Sequence, residues 1–282
     1  MDSRNHTEKR VTSQGRWQSL CFARMSPINV HLETNRQTWN AVADLFSEAS
    51  ALPCWGPFGV GDDLPLLPDI VGKTFLEIAC GSGRSLAYLL ERGAWKVYGL
   101  DLSEVQVHEA LRFNARAVQE GKAVVLRGPM ESRVDIEPVD VVFSVYGLGW
   151  TQDPDTTLEH IFYYLKPGGI FVWSWDHGFF TDVAYEGGQY VVRHSYHEEL
   201  PLERPDWKKP GCTVHLTYRK TDTWFRLIRN AGFQVTNYYE PAPKNLSHAH
   251  AEPEAYYSIK KAKLVPSSFI FVCQKPQSSD EK

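Results

Sequence analysis

The sequence predicts an α/β domain built on a mostly parallel sheet of seven strands flanked by helices. Three observations predict it. Short apolar segments alternate with helical ones from residue 73 onward. Those segments are apolar at consecutive positions, as strands buried on both faces are. Glycines follow the first strand, where the chain must turn tightly into a helix. Right-handed crossovers then gather the strands' C-terminal ends on one edge, where ligands of open α/β sheets bind.

The elements follow in order. Thr34 to Ser50 reads as a helix, because Trp39, Val42, Leu45 and Phe46 share one face. The Pro-, Gly- and Trp-rich stretch Leu52 to Pro68 forbids a long helix. Residues 31–70 together form an N-terminal helical cap. Thr74 to Ala79 is the first strand, and Arg84 to Arg92 a helix that Gly93 stops. Lys96 to Asp101 is the second strand. Ser103 caps a helix running to Gln119, with Gly121 behind it. Ala123 to Arg127 and Val139 to Val145 are strands three and four. Asp155 caps the helix Thr156 to Leu165, Pro167-Gly168-Gly169 ends it, and Ile170 to Trp175 is strand five. Residues 176–219 break the rhythm and are rich in aromatic residues and histidine. They are too long for a plain connection and read as a substrate lid inserted after strand five. A helix over Asp222 to Asn230, closed by Gly232, and strands at Phe233 to Tyr239 and Ser268 to Cys273 finish the pattern. Residues 1–30 are polar and mixed in charge, and read as a flexible tail.

Composition narrows the function. A chain of 282 residues, 43% hydrophobic, suits one large domain with a modest cap. Aromatic residues reach 13%, which points to a pocket for a flat or cationic ligand as well as to a core. A net charge of −4 argues against a nucleic-acid backbone as partner. Five cysteines without a CxxC argue against a disulfide framework and fit a reducing, cytoplasmic setting. No apolar run is long enough for a membrane span, so no membrane partner is expected. His194 with His197, and His248 with His250, lack the carboxylate or cysteine company of a metal site, and none is expected. The chain is expected to act as a monomer or homodimer.

The sharpest signal is Phe75-Leu76-Glu77-Ile78-Ala79-Cys80-Gly81-Ser82-Gly83-Arg84-Ser85. Glycines there let the backbone turn and approach a ligand closely, and the next helix offers free amides. A dinucleotide fingerprint wants a third glycine where Leu86 stands, and a phosphate loop wants Gly-Lys-Ser/Thr. Glu77-x-Ala79-x-Gly81-x-Gly83 resembles instead the first motif of class I S-adenosylmethionine-dependent methyltransferases, with alanine in place of the first glycine. The resemblance continues through Val97 to Asp101, Val125 to Glu131, Asp140 to Val145 and Leu165 to Phe171.

That resemblance implies a Rossmann-like methyltransferase domain over residues 31–282, with S-adenosylmethionine as cofactor and S-adenosylhomocysteine as product. It lays Ala79, Gly81 and Gly83 along the cofactor's methionine portion, with Glu77 orienting that portion. Asp101 falls at the ribose, where a strand-end acid about 20 residues past the loop also belongs on spacing alone. Met130 and Glu131 fall near the adenine, because Pro129 occupies the family's acidic position. Leu102, Ser144 and Val145 complete the cofactor set.

Methyl transfer from a sulfonium is a direct displacement, so alignment and exclusion of water are the protein's main tasks. Aromatic faces hold such a cation, and Trp39, Trp55, Tyr146 and Trp150 are the candidates. Trp39, Trp55, Trp150 and His215 are expected to contact the acceptor. A general base would serve a hydroxyl or a protonated amine. His177, just past strand five, and Tyr146 are the candidates, with His194, His197 and His215 as rivals. Ser144 to Trp150 lacks the Asn/Asp-Pro-Pro-Tyr/Phe of enzymes that methylate nucleobase or glutamine amines, and resembles small-molecule methyltransferases. The expected acceptor is a nitrogen, oxygen or carbon of a small aromatic or heterocyclic molecule, in natural-product metabolism. Two other readings stay open. One is an NAD-type oxidoreductase, against which Leu86 speaks. The other is a non-catalytic methyltransferase-like binding module, for which Ala79 and Pro129 leave room.

Overall fold

A computed structural model describes residues 30–46, 52–244 and 252–277. The expected tail at 1–30, all but its last residue, and the His248–His250 pair lie outside the described residues. Helix α1 spans Val30–Val42, followed by a short 3-10 turn at Ala43–Leu45. Strand β1 is Thr74–Ile78, α2 Arg84–Glu91, β2 Lys96–Asp101, α3 Glu104–Phe113, α4 Ala115–Gln119 and β3 Ala123–Arg127. Then come β4 Val139–Val145, α5 Pro154–Tyr164, β5 Leu165–Asp176, α6 Gly178–Asp182 and four short strands, β6 Val183–Glu186, β7 Gln189–Val192, β8 Pro201–Arg204 and β9 Val214–Thr217. Helix α7 Thr221–Asn230, β10 Gln234–Tyr239, α8 Ile259–Ala262 and β11 Ser268–Gln274 complete the chain.

Seven strands form one sheet in the order β10-β11-β5-β4-β1-β2-β3. Only β11 opposes its neighbours; the other pairings are parallel. Strand order reverses between β1 and β4, so the turns after β1, β2 and β4 meet at one edge of the sheet. Both faces are buried. Leu76, Ile78, Trp173 and Trp224 belong to one core cluster, and Phe75, Val97, Phe143 and Ile270 to the other. Each such side chain contributes about 1.5–3 kcal/mol on leaving water, which is why the consecutive apolar runs specify the sheet.

Several expectations need correction. Helix α1 begins earlier than Thr34, and Leu45 is exposed rather than on the packed face. Besides Val42, α1 buries two polar side chains: Asn35 and Thr38 bond to the backbone of His215 and Thr213, within and beside β9. The cap of α5 is Asp153, not Asp155, because Pro154 takes the first helical position and Asp153 accepts from the Thr156 amide. The helix after Ser103 breaks at Asn114, whose amide group donates to Gly83 O and Ala110 O. Strand β5 starts directly at Leu165, with Pro167-Gly168-Gly169 taken up in a register shift against β4. The 176–219 segment is not a loose connection. It folds into the helical turn α6 and two hairpins, β6–β7 and β8–β9.

Candidate active site

A cavity of about 380 Å3 opens where the turns after β1, β2 and β4 converge. Glu77, Ala79 and Gly81 line it from the β1–α2 turn, and Asp101 and Leu102 from the end of β2. Met130 and Glu131 line it from the segment after β3, and Val145, Tyr146 and Trp150 from the end of β4. Trp39 reaches in from α1.

The turn is shaped by its backbone. Gly81 has φ +52°, and an added Cβ would meet nothing closer than Gln106 Oε1 at 3.9 Å, so its bare face opens into the cavity. Gly83, also left-handed, serves a different purpose. A Cβ there would lie 2.8 Å from Asn114 Nδ2 and 2.9 Å from Ala110 Cβ, so this glycine admits α3 against the turn. Gly83 does not line the cavity. Ala79, in the position of the missing glycine, holds φ +59°. It fits because residue 147 is glycine: a Cβ at Gly147 would sit 2.5 Å from that of Ala79. Close approach of α2 to the sheet is provided by Gly99 on β2, where a Cβ would lie 2.9 Å from Leu86 Cδ1.

Asp101 ties the turn down. Its Oδ2 accepts from the Gly81 amide at 2.8 Å and its Oδ1 from the Ser103 amide at 2.9 Å. Burial raises its pKa, and the Ser103, Gly81 and Leu102 amides oppose the rise. A carboxylate accepts about four hydrogen bonds, so lone pairs remain for ligand hydroxyls. Glu77 is 3% exposed; burial pushes its carboxyl well above the ordinary carboxylate range, against one bond from Ser85 and with repulsion from Asp101. Glu77 Oε2 and Gln106 Oε1 are buried without a partner, and both residues line the cavity. Unsatisfied buried acceptors cost free energy until a donor arrives. Their presence beside the bare Gly81 backbone fits a ligand carrying an ammonium and hydroxyl groups. Gln106 was not foreseen from sequence, since a glutamine in the first turn of a helix carries no motif. Glu131 Oε1 is occupied by Thr151 Oγ1 and the Gln152 amide, which leaves its second oxygen. Ser144 is fully buried, bonds to Ile78 O and does not line the cavity.

The far end of the cavity is aromatic. Trp39 and Trp150 meet edge to face with centroids 5.3 Å apart, and Trp207 from the insertion packs on both. Tyr146 lies 5.7 Å from Trp175 and bonds through its hydroxyl to Ser268. Burial, and the negative charge of Asp176, push the Tyr146 phenol well above its ordinary range. It is therefore protonated at neutral pH.

Three further sequence candidates lie elsewhere. His177 does not line the cavity: its Nδ1 accepts from the Phe179 amide, capping α6, and its Nε2 faces Glu240 Oε1 at 3.3 Å. Burial lowers its pKa, against Glu240. His215 stacks on His31, and its backbone accepts from and donates to the Asn35 side-chain amide. Trp55 is 2% exposed and packs on Phe143 in the core. No residue of 178–219 lines the cavity, and Trp207 of the insertion packs against its wall residues Trp39 and Trp150. Sequence missed Asp176 and Tyr257. The first is the last residue of β5, and the second lines the cavity from a stretch with no motif. Among the described residues no group of three or more His, Cys, Asp or Glu side chains is placed to hold a metal ion. No helix among them is long and apolar enough to cross a membrane.

Comparison with known proteins places this geometry. The methyltransferase domain family matches residues 76–173. An uncharacterized protein of Haemophilus influenzae is 30% identical over 203 residues, 67% of this chain and 78% of that protein. A probable protein arginine N-methyltransferase 6.2 of Oryza sativa is 32% identical over 107 residues, 36% of this chain but 26% of that protein. A crystal structure assigned to an S-adenosylmethionine-dependent methyltransferase of Listeria monocytogenes aligns with TM-score 0.60 at 26% identity, over 75% of this chain and 95% of that one.

Proposed function

Because the chain belongs to the class I S-adenosylmethionine-dependent methyltransferases and takes S-adenosylmethionine as cofactor, we propose that its acceptor is a small aromatic or heterocyclic molecule. The observation that carries this reading is the aromatic end of the cavity, where Trp39 of α1 packs against Trp150 and Trp207. A total volume of about 380 Å3 is at the lower end of small-molecule pockets. A space of that size favours a compact acceptor over a polypeptide or a nucleic-acid strand. The arginine methyltransferase relative is matched over a quarter of its length and says nothing of the acceptor here. The natural-product setting rests on family resemblance alone. The described cysteines are free, which supports a reducing compartment.

The bound cofactor supplies an electrophilic methyl group on a sulfonium. The protein's residues do the rest. Gly81 offers an unobstructed main chain, and Asp101 holds that turn while keeping lone pairs for ribose hydroxyls. Glu77 and Gln106 offer free acceptors to an ammonium group. Trp39 and Trp150 exclude water and present faces suited to a cation.

The test is to incubate the protein with methyl-tritiated S-adenosylmethionine and, in parallel, a panel of phenols, indoles and amines, a mixed protein substrate, and total tRNA. Label in extractable small molecules is expected. Label in protein or RNA overturns the reading.

A further inference from the structure

A second cavity, of about 630 Å3, lies between the 176–219 insertion and residues 253–261 and is lined by Tyr218, Tyr256, Arg204 and Lys261 among others. Between it and the cofactor cavity sits Asp176, 5% exposed at the end of β5. Its carboxylate is held from both sides. Tyr257, which lines the cofactor cavity, donates to Oδ1 at 3.0 Å and Oδ2 at 3.2 Å. Tyr256, which lines the second cavity, donates to Oδ2 at 2.9 Å and lies 3.1 Å from the Tyr218 hydroxyl. The hydrogen bonds therefore run unbroken from one cavity to the other: Tyr257, Asp176, Tyr256, Tyr218.

We propose that this chain is a proton relay, in which Tyr257 takes the proton of an O–H or N–H acceptor in the cofactor cavity, Asp176 receives it, and Tyr256 releases it into the second cavity. The proposal rests on the small-molecule reading above and specifies the acceptor further. Tyr257 has committed its own hydrogen to Asp176, so its oxygen has only lone pairs left to offer. A partner at that oxygen must be a donor, which selects a hydroxyl or a protonated amine over a bare carbon.

The step balances without a further reagent. The acceptor's proton passes to the Tyr257 oxygen as the Tyr257 proton passes to Asp176, and the electron pair of the broken bond stays on the acceptor atom. Asp176 becomes neutral. It then gives its proton to the Tyr256 oxygen as Tyr256 passes its own either directly to solvent in the second cavity or to Tyr218, which in that case releases its own proton to that solvent, and the carboxylate is restored. Tyr257 is the catalytic residue; Asp176 and Tyr256 act through it.

The surroundings of Asp176 suit this. It faces Tyr146, Tyr218, Tyr256, Tyr257, Arg204 and Lys261; its chain neighbour His177 is engaged with Glu240. Burial raises its carboxyl to about 6, against the hydroxyls of Tyr256, Tyr257 and Tyr146 and the charge of Arg204. Lys261 is held by the carbonyls of Phe180 and Val183, and burial lowers it to about 8. At neutral pH the carboxylate is thus ionised and poised just below the working range, as an efficient proton acceptor should be.

Two measurements test the proposal. The first needs no acceptor: infrared difference titration of the S-adenosylhomocysteine complex. A carboxylic acid carbonyl band is expected to grow in as pH falls through about 6, to vanish in Asp176→Asn, and to appear at higher pH in Tyr256→Phe, which loses a bond that favours the ionised form. The second uses methyl-tritiated cofactor with the phenol and amine panel. The rate is expected to fall on the acid side through the same pKa. Asp176→Asn should lower kcat by about 10²–10⁴-fold, abolish that acid limb and keep S-adenosylhomocysteine affinity. Asp176→Glu should restore part of the rate. The relay is overturned if Asp176 does not titrate in the complex, if Asp176→Asn keeps its acid limb or its rate, or if only carbon acceptors are methylated. Label appearing in protein or RNA instead would remove the small-molecule reading on which the relay rests, a failure distinct from these.

Discussion

The amide of Gly81 donates to Asp101 Oδ2 at 2.8 Å, across 20 residues of sequence, and so couples the turn after β1 to the end of β2. The residue expected only to receive a ligand also fixes the loop that approaches the ligand. Asp101→Ala therefore removes two contributions at once. It should weaken S-adenosylhomocysteine binding by about 1–3 kcal/mol, measured by calorimetry. Gly81→Arg should abolish binding, because its side chain would enter the cavity from a backbone already at φ +52°. Normal affinity in either variant would place the cofactor elsewhere.

Glu77 makes the protein without its cofactor sensitive to rising pH above 4.5. Its folded pKa lies well above the ordinary 4.5, so the folded chain holds this proton more tightly than the unfolded chain. Stability is then fully present below 4.5 and declines as pH rises toward the folded pKa. Glu77→Gln should flatten that decline in a series of thermal melts and raise Tm at neutral pH without ligand. The same variant should bind S-adenosylhomocysteine less tightly, having lost the charge that an ammonium would meet.

His177 is a cap before it is anything else. His177→Ala should cost about 1 kcal/mol of stability, the usual loss for a helix cap, and leave cofactor affinity unchanged. Burial lowers its folded pKa, so its contribution is present above pH 6.5 and is lost as pH falls below that value. A collapse of cofactor binding in His177→Ala would return the residue to the site.

Asn35 is the bolt of the cap. Its side chain donates to His215 O and accepts from His215 N at 2.8 and 2.7 Å, as a neighbouring strand would. Asn35→Ala should leave both groups unpaired, at about 1–3 kcal/mol. The change should be read as faster hydrogen exchange confined to α1 and β9. Uniform destabilisation of the whole domain would contradict this local role.

Ala79 carries backbone strain that glycine would relieve. A non-glycine residue in the left-handed region costs about 1–2 kcal/mol, while glycine costs about 0.4–1 kcal/mol of unfolded-chain entropy. Ala79→Gly should therefore raise stability by up to about 1 kcal/mol in a urea melt and keep cofactor binding. A clear loss of stability would show that the methyl group packs better than its torsion suggests.

Much of the architecture was legible in the one-dimensional pattern. Strand ends, the glycine turn and the acidic residues at 77 and 101 follow from local rules: apolar runs want burial on both faces, and a left-handed turn wants glycine. The helix caps were harder. Asp153 and Asp155 both stand at the start of the same helix, and only the fixed φ of Pro154 separates cap from first turn. The acceptor side of the cavity obeyed no local rule. Trp39 and Trp55 look alike in sequence, yet one lines the cavity and the other fills the core. His177 is spent on a helix end, whereas Asp176 beside it joins two tyrosines from a segment 80 residues away. Short-range stereochemistry writes secondary structure and the cofactor turn into the chain itself. Which aromatic ring faces a ligand, and which acid lies between two cavities, depends on contacts between distant segments, and those exist only once the sheet has brought them together.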